Sequence, residues 1–179
     1  MGTLDSQLLE MARGYDAQAL AEIYDRYAER IYRYLYRHLG DAAQAEDLTS
    51  EVFLKLLQVL NTPRAPRDRL QGWLYRVAHN LAIDWFRQES KSAPVSLDER
   101  LVAGDGSPSI AVEKRQAQER LREAIRQLTP DQQQVILLRF GEELKIAEVS
   151  RLMDKSEGAV KVLQHRAVKR LGKLLGCRE

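Results

Sequence analysis

The sequence predicts an all-α protein made of two small helical domains joined by a flexible linker. Apolar residues recur at three- and four-residue steps along nearly the whole chain, and no segment alternates as a strand would. The 179 residues include only 10 Gly and 5 Pro, with 44% apolar and 30% charged residues, a composition of helix-rich globular proteins rather than disordered ones. One stretch, 90–111, breaks the period with Ser, Pro, Gly and Asp and is expected to be the linker, leaving domains over 1–89 and 112–179.

The first long helix carries Leu20, Ile23, Tyr24, Tyr27, Ile31, Tyr34 and Leu35 on one stripe, and Gly40 ends it. Asp41 with Gln44 is a capping box that starts a second helix, whose inward residues are Ala45, Leu48, Val52, Leu56 and Val59. Pro63 and Pro66 make 61–67 a loop. A third helix is expected from Leu70 to Glu89, with Leu74, Val77, Ala78, Leu81 and Trp85 inward. Beyond the linker, Ala117, Leu121, Ala124, Ile125 and Leu128 form the next stripe. Thr129, Pro130 and Gln132 supply a cap, a first-turn proline and a capping-box partner for another helix.

Several function classes are disfavoured. The longest apolar run is Val135–Leu138, far short of the roughly 18 residues a membrane span needs, and the N-terminus lacks the pattern of a secretory signal. A cytoplasmic protein without membrane insertion is expected. Cys177, His38, His79 and His165 stand at no ligand spacing, so no metal or other cofactor is predicted. Gly-rich phosphate loops, G-x-S-x-G and H-E-x-x-H are all absent, which argues against an enzyme. Cys177 is read as a solvated, inert thiol.

Charge is uneven although the net is only +2. Residues 1–60 hold 6 basic against 10 acidic residues, and residues 113–179 hold 15 against 10. A basic C-terminal end behind an acidic N-terminal half suggests nucleic acid at one end and a different partner at the other, with a solvated helix face as the competing reading.

Three constellations carry the functional expectation. Residues 146–165 fit a helix-turn-helix: Val149 beside Ser150 in the first helix, Asp154 in the turn, Ser156 as cap, and Val160 and Leu163 packing the second helix back. Glu157, Gly158, Lys161, Val162, Gln164 and His165 are then placed to reach base edges, and Arg166, Lys169 and Arg170 to reach phosphates. In the second helix Asp47, Glu51, Leu54 and Gln58 share an outer face, an acidic stripe with an exposed leucine suited to a protein partner. Finally Arg64, Arg67 and Arg69 precede the aromatic and basic stretch 72–87, which contains Trp73, Arg76 and Asn80. Rings interleaved with guanidinium groups suit single-stranded nucleic acid, though Leu74, Val77, Leu81 and Trp85 also serve a core.

The order of these stretches resembles the extracytoplasmic-function group of the sigma-70 family. The resemblance rests on Glu46 to Lys55, on Trp73 to Asp84, and on Leu128-Thr129-Pro130 followed by the helix-turn-helix ending Lys161 to Ala167, and it covers about residues 15–175. It implies a transcription initiation factor with a sigma-2 bundle at 1–89 and a sigma-4 helix-turn-helix domain at 112–179. Asp47, Ser50, Glu51, Leu54 and Gln58 would dock on the beta-prime clamp helices of core RNA polymerase, and the beta flap would be a second contact. Asn61, Arg64, Arg67, Arg69, Trp73, Arg76 and Asn80 would capture and open minus-ten DNA. Ser156, Glu157, Gly158, Lys161, Val162, Gln164, His165, Arg166 and Lys169 would read the minus-thirty-five element. The linker would thread toward the polymerase cleft, and an anti-sigma protein would be a further partner. Ser50 stands where the family usually has Gln, Asp154 where a turn glycine is common, and Ala159 where Thr is common. The alternatives are a stand-alone helix-turn-helix regulator, which would bind duplex operator without polymerase, and a helical adaptor indifferent to DNA.

Overall fold

The computed structural model describes residues 2–67, 69–92 and 110–176, and these form eight α-helices and one π-helical turn, without a strand among them. The order is α1 (Gly2–Arg13), α2 (Ala17–Leu39), α3 (Ala42–Val59), α4 (Leu70–Ser92), α5 (Ile110–Arg126), α6 (Pro130–Ile136), the π turn (Leu137–Gly141), α7 (Ile146–Met153) and α8 (Glu157–Leu174). Both helices flanking the expected linker extend into it, over 90–92 and 110–111, and the remainder of that segment lies outside the described residues, as does Cys177.

Side-chain chemistry sets several helix ends, among them those the sequence placed at Gly40, Asp41 and Thr129. Asp16 and Asp41 each accept a backbone N–H from three residues on, at 2.7 Å from Ala19 and 3.1 Å from Gln44. Gly40 adopts φ 80°, which ends α2 without the steric cost another residue would meet. Gln132 accepts the Thr129 N–H at 3.2 Å, closing the turn behind Pro130.

Helix α1, which carries no signal singled out above, is fastened to α2 by Asp5. Its carboxylate accepts from Tyr27 at 2.8 Å and from Arg26 at 3.2 Å. Burial first, then this bond, raises the Tyr27 phenol well above its usual range, so it remains a donor. In α2 the stripe is buried as expected except that Leu20 is half-buried and Tyr24 is exposed, its ring tilted against Phe53 of α3 at 4.8 Å. In α5, Ala117 and Leu121 are exposed rather than buried, because neighbouring elements cover only the C-terminal half of that helix.

The two halves pack directly on one another, and their apolar side chains form one continuous buried cluster. The join is mixed in character. Glu142, which follows the π turn, inserts its carboxylate between Arg37 and Tyr75, the Tyr75 hydroxyl donating at 3.3 Å, with Arg33 at 3.8 Å. Arg126 donates to the Leu39 carbonyl at 3.2 Å while its guanidinium lies over the Phe86 ring at 4.5 Å. At Gly72 the backbones of α4 and α7 come so close that an added Cβ would lie 3.0 Å from the Leu152 carbonyl oxygen.

Two histidines fill the centre of this join. His38 and His79 stack at 5.4 Å with planes 6° apart, His38 Nε2 facing Gln133 Oε1 at 2.9 Å and His79 Nδ1 facing the Tyr34 hydroxyl at 2.9 Å. Burial is the main cause that lowers both, His38 to about 3 with help from His79 and Arg126, and His79 to about 4 against opposing pulls from the Pro130 backbone and Asp131. In the unfolded chain both regain a value near 6.5, so below that pH the unfolded state binds protons the folded state refuses. Stability is therefore intact above pH 6.5 and falls on acidification toward pH 4, by up to roughly 1.4 kcal/mol per pH unit for each histidine. Urea denaturation at pH 7.5 and pH 5 should show a clear drop in midpoint, shallower in His38→Gln; equal midpoints in the wild-type protein would contradict neutral burial of the pair.

Candidate polymerase and nucleic-acid surfaces

The outer face of α3 forms because Ala45, Leu48, Val52 and Leu56 take the inner one. Asp47, Ser50 and Gln58 are exposed, Glu51 is half-buried and paired to Lys55 at 3.3 Å, and Leu54 is 56% exposed. All five residues expected to meet polymerase share this face. Leu57, also exposed, extends its apolar edge one turn beyond Leu54; the inward stripe alone could not show that a second leucine stands outside.

The loop between α3 and α4 is a folded turn. Thr62 Oγ1 donates to the Val59 carbonyl at 2.8 Å and accepts the Arg64 N–H at 3.2 Å, while buried Ala65 and Pro66 anchor the far side. Asn61, Arg64 and Arg67 point into solvent around it. Along α4, Arg69, Trp73, Arg76 and Asn80 recur at helical spacing on one face, with Trp73 half-buried and the others exposed. Arg69 also forms an ion pair with Asp154, which brings the start of α4 against the turn between α7 and α8.

That turn is the helix-turn-helix turn. Asp154 takes φ 54° and ψ 45°, the left-handed region, and Ser150 Oγ donates to the Lys155 carbonyl at 2.5 Å across it. Ser156 caps α8 by accepting the Ala159 N–H at 3.2 Å, and Val149 and Val160 are fully buried where the helices cross. Glu157, Gly158, Lys161, Val162, His165, Arg166, Lys169 and Arg170 are all exposed on the outer side of α8. Gln164 is half-buried and its side-chain oxygen accepts Arg139 Nε–H at 3.0 Å, which turns one of that oxygen's two acceptor sites inward.

Two concave features escaped the sequence reading. An apolar groove of about 650 Å³ lies between α5, the π turn and α8, lined by Leu121, Ile125, Phe140, Val168 and Leu175 with Arg37 and Arg122 on it. A more polar cavity of about 580 Å³ lies between α1 and the α3–α4 loop. The groove was hidden because Leu121 reads as core; the cavity, because α1 went unrecognised.

Comparison with known proteins follows the same division. Residues 23–92 match the family model described as Sigma-70 region 2, and residues 118–171 match Sigma-70, region 4. The chain is 39% identical over 171 residues to the ECF RNA polymerase sigma factor BldN of Streptomyces coelicolor, covering 94% of this chain and 65% of that protein. It is 32% identical over 162 residues to the ECF RNA polymerase sigma factor SigX of Bacillus subtilis, covering 84% and 80%. The structure of CnrH in complex with the cytosolic domain of CnrY is similar in fold, with a TM-score of 0.67 at 18% identity over 98% of this chain and 99% of that one.

The turn geometry yields a direct test. Asp154→Val places a β-branched side chain in the left-handed region and should lower stability by roughly 1–2 kcal/mol. Asp154→Gly, which needs no such strain and loses only an exposed ion pair, should stay within about 1 kcal/mol of wild type. Thermal or urea unfolding measures both, and equal losses would refute the assignment of strain to this turn.

Proposed function

The chain belongs to the extracytoplasmic-function RNA polymerase sigma factors of the sigma-70 family, and from that premise we propose that it docks on core RNA polymerase and directs promoter-specific transcription initiation. The observation that carries the reading is the placement, on one molecule, of an acidic and apolar face on α3 apart from two faces rich in arginine and lysine on α4 and α8. One binds protein and the others bind DNA.

In this scheme residues 1–89 form the sigma-2 domain, 90–111 the linker and 112–179 the sigma-4 domain, in keeping with the two matched regions. Asp47, Ser50, Glu51, Leu54 and Gln58 seat on the beta-prime clamp helices, with Leu57 widening the apolar contact. The beta flap occupies the groove of Leu121, Phe140 and Val168, whose exposed apolar side chains favour burial by a partner. Asn61, Arg64, Arg67, Arg69, Trp73, Arg76 and Asn80 hold the minus-ten strand, the arginines tracking phosphates while unstacked bases meet the loop and Trp73. Each base stacked on an aromatic ring contributes about 1–3 kcal/mol toward melting. Ser156, Glu157, Gly158, Lys161, Val162, Gln164, His165, Arg166 and Lys169 engage the minus-thirty-five major groove.

The factor works in the cytoplasm beside its polymerase and supplies no catalytic chemistry of its own. An anti-sigma protein competes for the same exposed faces. No described helix is long and apolar enough to cross a membrane.

Two substitutions separate the surfaces. Glu51→Lys reverses charge on the docking face and should weaken core binding tenfold or more, a loss of about 1.4 kcal/mol or greater. Lys161→Ala should leave core binding unchanged and lower transcription from a minus-thirty-five-dependent promoter severalfold, as expected for a lost groove contact of about 1 kcal/mol. Core-binding anisotropy alongside run-off transcription reads both; wild-type behaviour from both variants would overturn the assignment of surfaces.

A further inference from the structure

We propose that Arg33, Arg37 and the Tyr75 hydroxyl form a receptor for one DNA phosphate, and that Glu142 fills it as an internal stand-in while the two halves are packed together. The proposal rests on the reading of the chain as a promoter-opening factor and adds a backbone contact beyond the minus-ten residues named above.

The receptor belongs to the N-terminal half alone, and Glu142 reaches it from the other half. Both carboxylate oxygens are engaged: Oε1 by Arg37, and Oε2 by the Tyr75 hydroxyl at 3.3 Å and by Arg33 at 3.8 Å. Tyr75 is fully buried. Burial first and Glu142 next raise its phenol well above the usual range, with Arg30 and Arg33 pulling the other way, so it stays an O–H donor. Arg30 therefore adds a further positive charge that acts on the site. Along α2, Arg26, Arg30, Arg33 and Arg37 recur at three- and four-residue steps, a basic face that ends at the receptor. Asp5 and Glu22 pair with Arg26, and Glu29 pairs with Arg33 at 3.6 Å, so Arg37 is the arginine most dependent on Glu142.

A phosphodiester offers what this receptor holds. Like a carboxylate it carries a single negative charge on two terminal oxygens, and guanidinium groups bind either anion through paired N–H donors. Position favours DNA as the source, because Tyr75 precedes Arg76 on α4, and Arg76 is among the residues expected to track the minus-ten strand.

Packed together, the halves cannot serve one promoter. Arg69, expected at the minus-ten element, is paired with Asp154, which stands just before Ser156, expected at the minus-thirty-five element. Elements about 25 base pairs apart are separated by about 85 Å along a duplex that rises about 3.4 Å per pair. The halves therefore part on a promoter, and Glu142 leaves with the C-terminal half. Arg33, Arg37 and the Tyr75 hydroxyl are then without their anion, and a phosphate of the bound strand restores it. Before that, tethering gives Glu142 a high effective concentration at the receptor, which holds DNA off.

The test uses the full chain assembled with core RNA polymerase and forked minus-ten DNA in which single phosphates are replaced by uncharged methylphosphonates. With the wild-type factor, one such replacement beside the minus-ten segment should weaken binding about fivefold and should have no further effect in Arg37→Gln or Arg33→Gln. Arg76→Ala, the control, should leave that replacement effective. The salt dependence of binding by each of the two glutamine variants should fall by about one counterion. Unchanged core affinity shows that they fold. Without polymerase, Glu142→Gln should bind the same DNA about fivefold more tightly than wild type, a gain abolished by adding Arg37→Gln. If every phosphate keeps its effect in both arginine variants while promoter DNA is still opened, the receptor is refuted and the promoter-opening reading stands. Loss of core affinity in those variants with an unchanged phosphate pattern assigns the anion to polymerase and also refutes it. If the wild-type holoenzyme opens no promoter DNA, the promoter-opening reading fails and takes the proposal with it.

Discussion

A carboxylate with only 2% of its side chain exposed holds the two halves of this protein together. Glu142 comes from the C-terminal half, and its partners Arg33, Arg37 and Tyr75 come from α2 and α4 of the N-terminal half. Burying a charge is costly unless it is paired and hydrogen-bonded, and removing a partner from such a group costs about 3–5 kcal/mol in buried cases. Arg33 and Arg37 are themselves nearly half exposed, which moderates that figure here. The energetic consequence is selectivity: only one way of apposing the halves places these donors around Glu142, and the stacked histidines, the Gln133 contact and the close approach at Gly72 are all satisfied in that same apposition.

The π turn makes this possible. Over Leu137–Gly141 the wider winding carries the chain outward, and the Glu142 N–H still bonds back to the Leu137 carbonyl at 3.0 Å. Arg139, within the turn, faces the other way and donates to the Leu144 carbonyl and to Gln164 of α8. A five-residue element thus braces the recognition helix on one side and joins the halves on the other. Bringing the halves together sets α4 beside α7 along one edge, while the outer faces of α3, α4 and α8 stay open.

Most of the fold was legible because it is written in local terms. Asp41, Gly40, Pro130 and Ser156 act within three or four residues of themselves, and the periodicity of α2 and α3 depends only on which face is buried. The exposed faces of α3 and α8 followed from the same logic, since a face left over by the buried stripe is exposed by default, whereas Ser50 and Asn61 came only with the family resemblance. What escaped the sequence involves partners distant along the chain. Glu142 reads as one of two adjacent surface glutamates until Arg37, more than a hundred residues earlier, is placed beside it. His38 looks like the polar end of an amphipathic helix, and Leu121 like core. Each of these depends on how the halves meet, and no local pattern encodes that. Helix α1 was passed over although Leu4, Leu8, Leu9, Met11 and Ala12 fall at helical spacing, because that pattern spans only about two turns, and the cavity it closes went unseen with it.

The most direct test of the account is the dependence of DNA binding on polymerase. Promoter fragments selected by the holoenzyme would be titrated with this chain alone and with the chain bound to core polymerase, at one salt concentration. The account predicts selective binding and strand opening only when core polymerase is present. Equally tight, selective binding of duplex DNA by the chain alone would contradict it and establish a stand-alone regulator in its place.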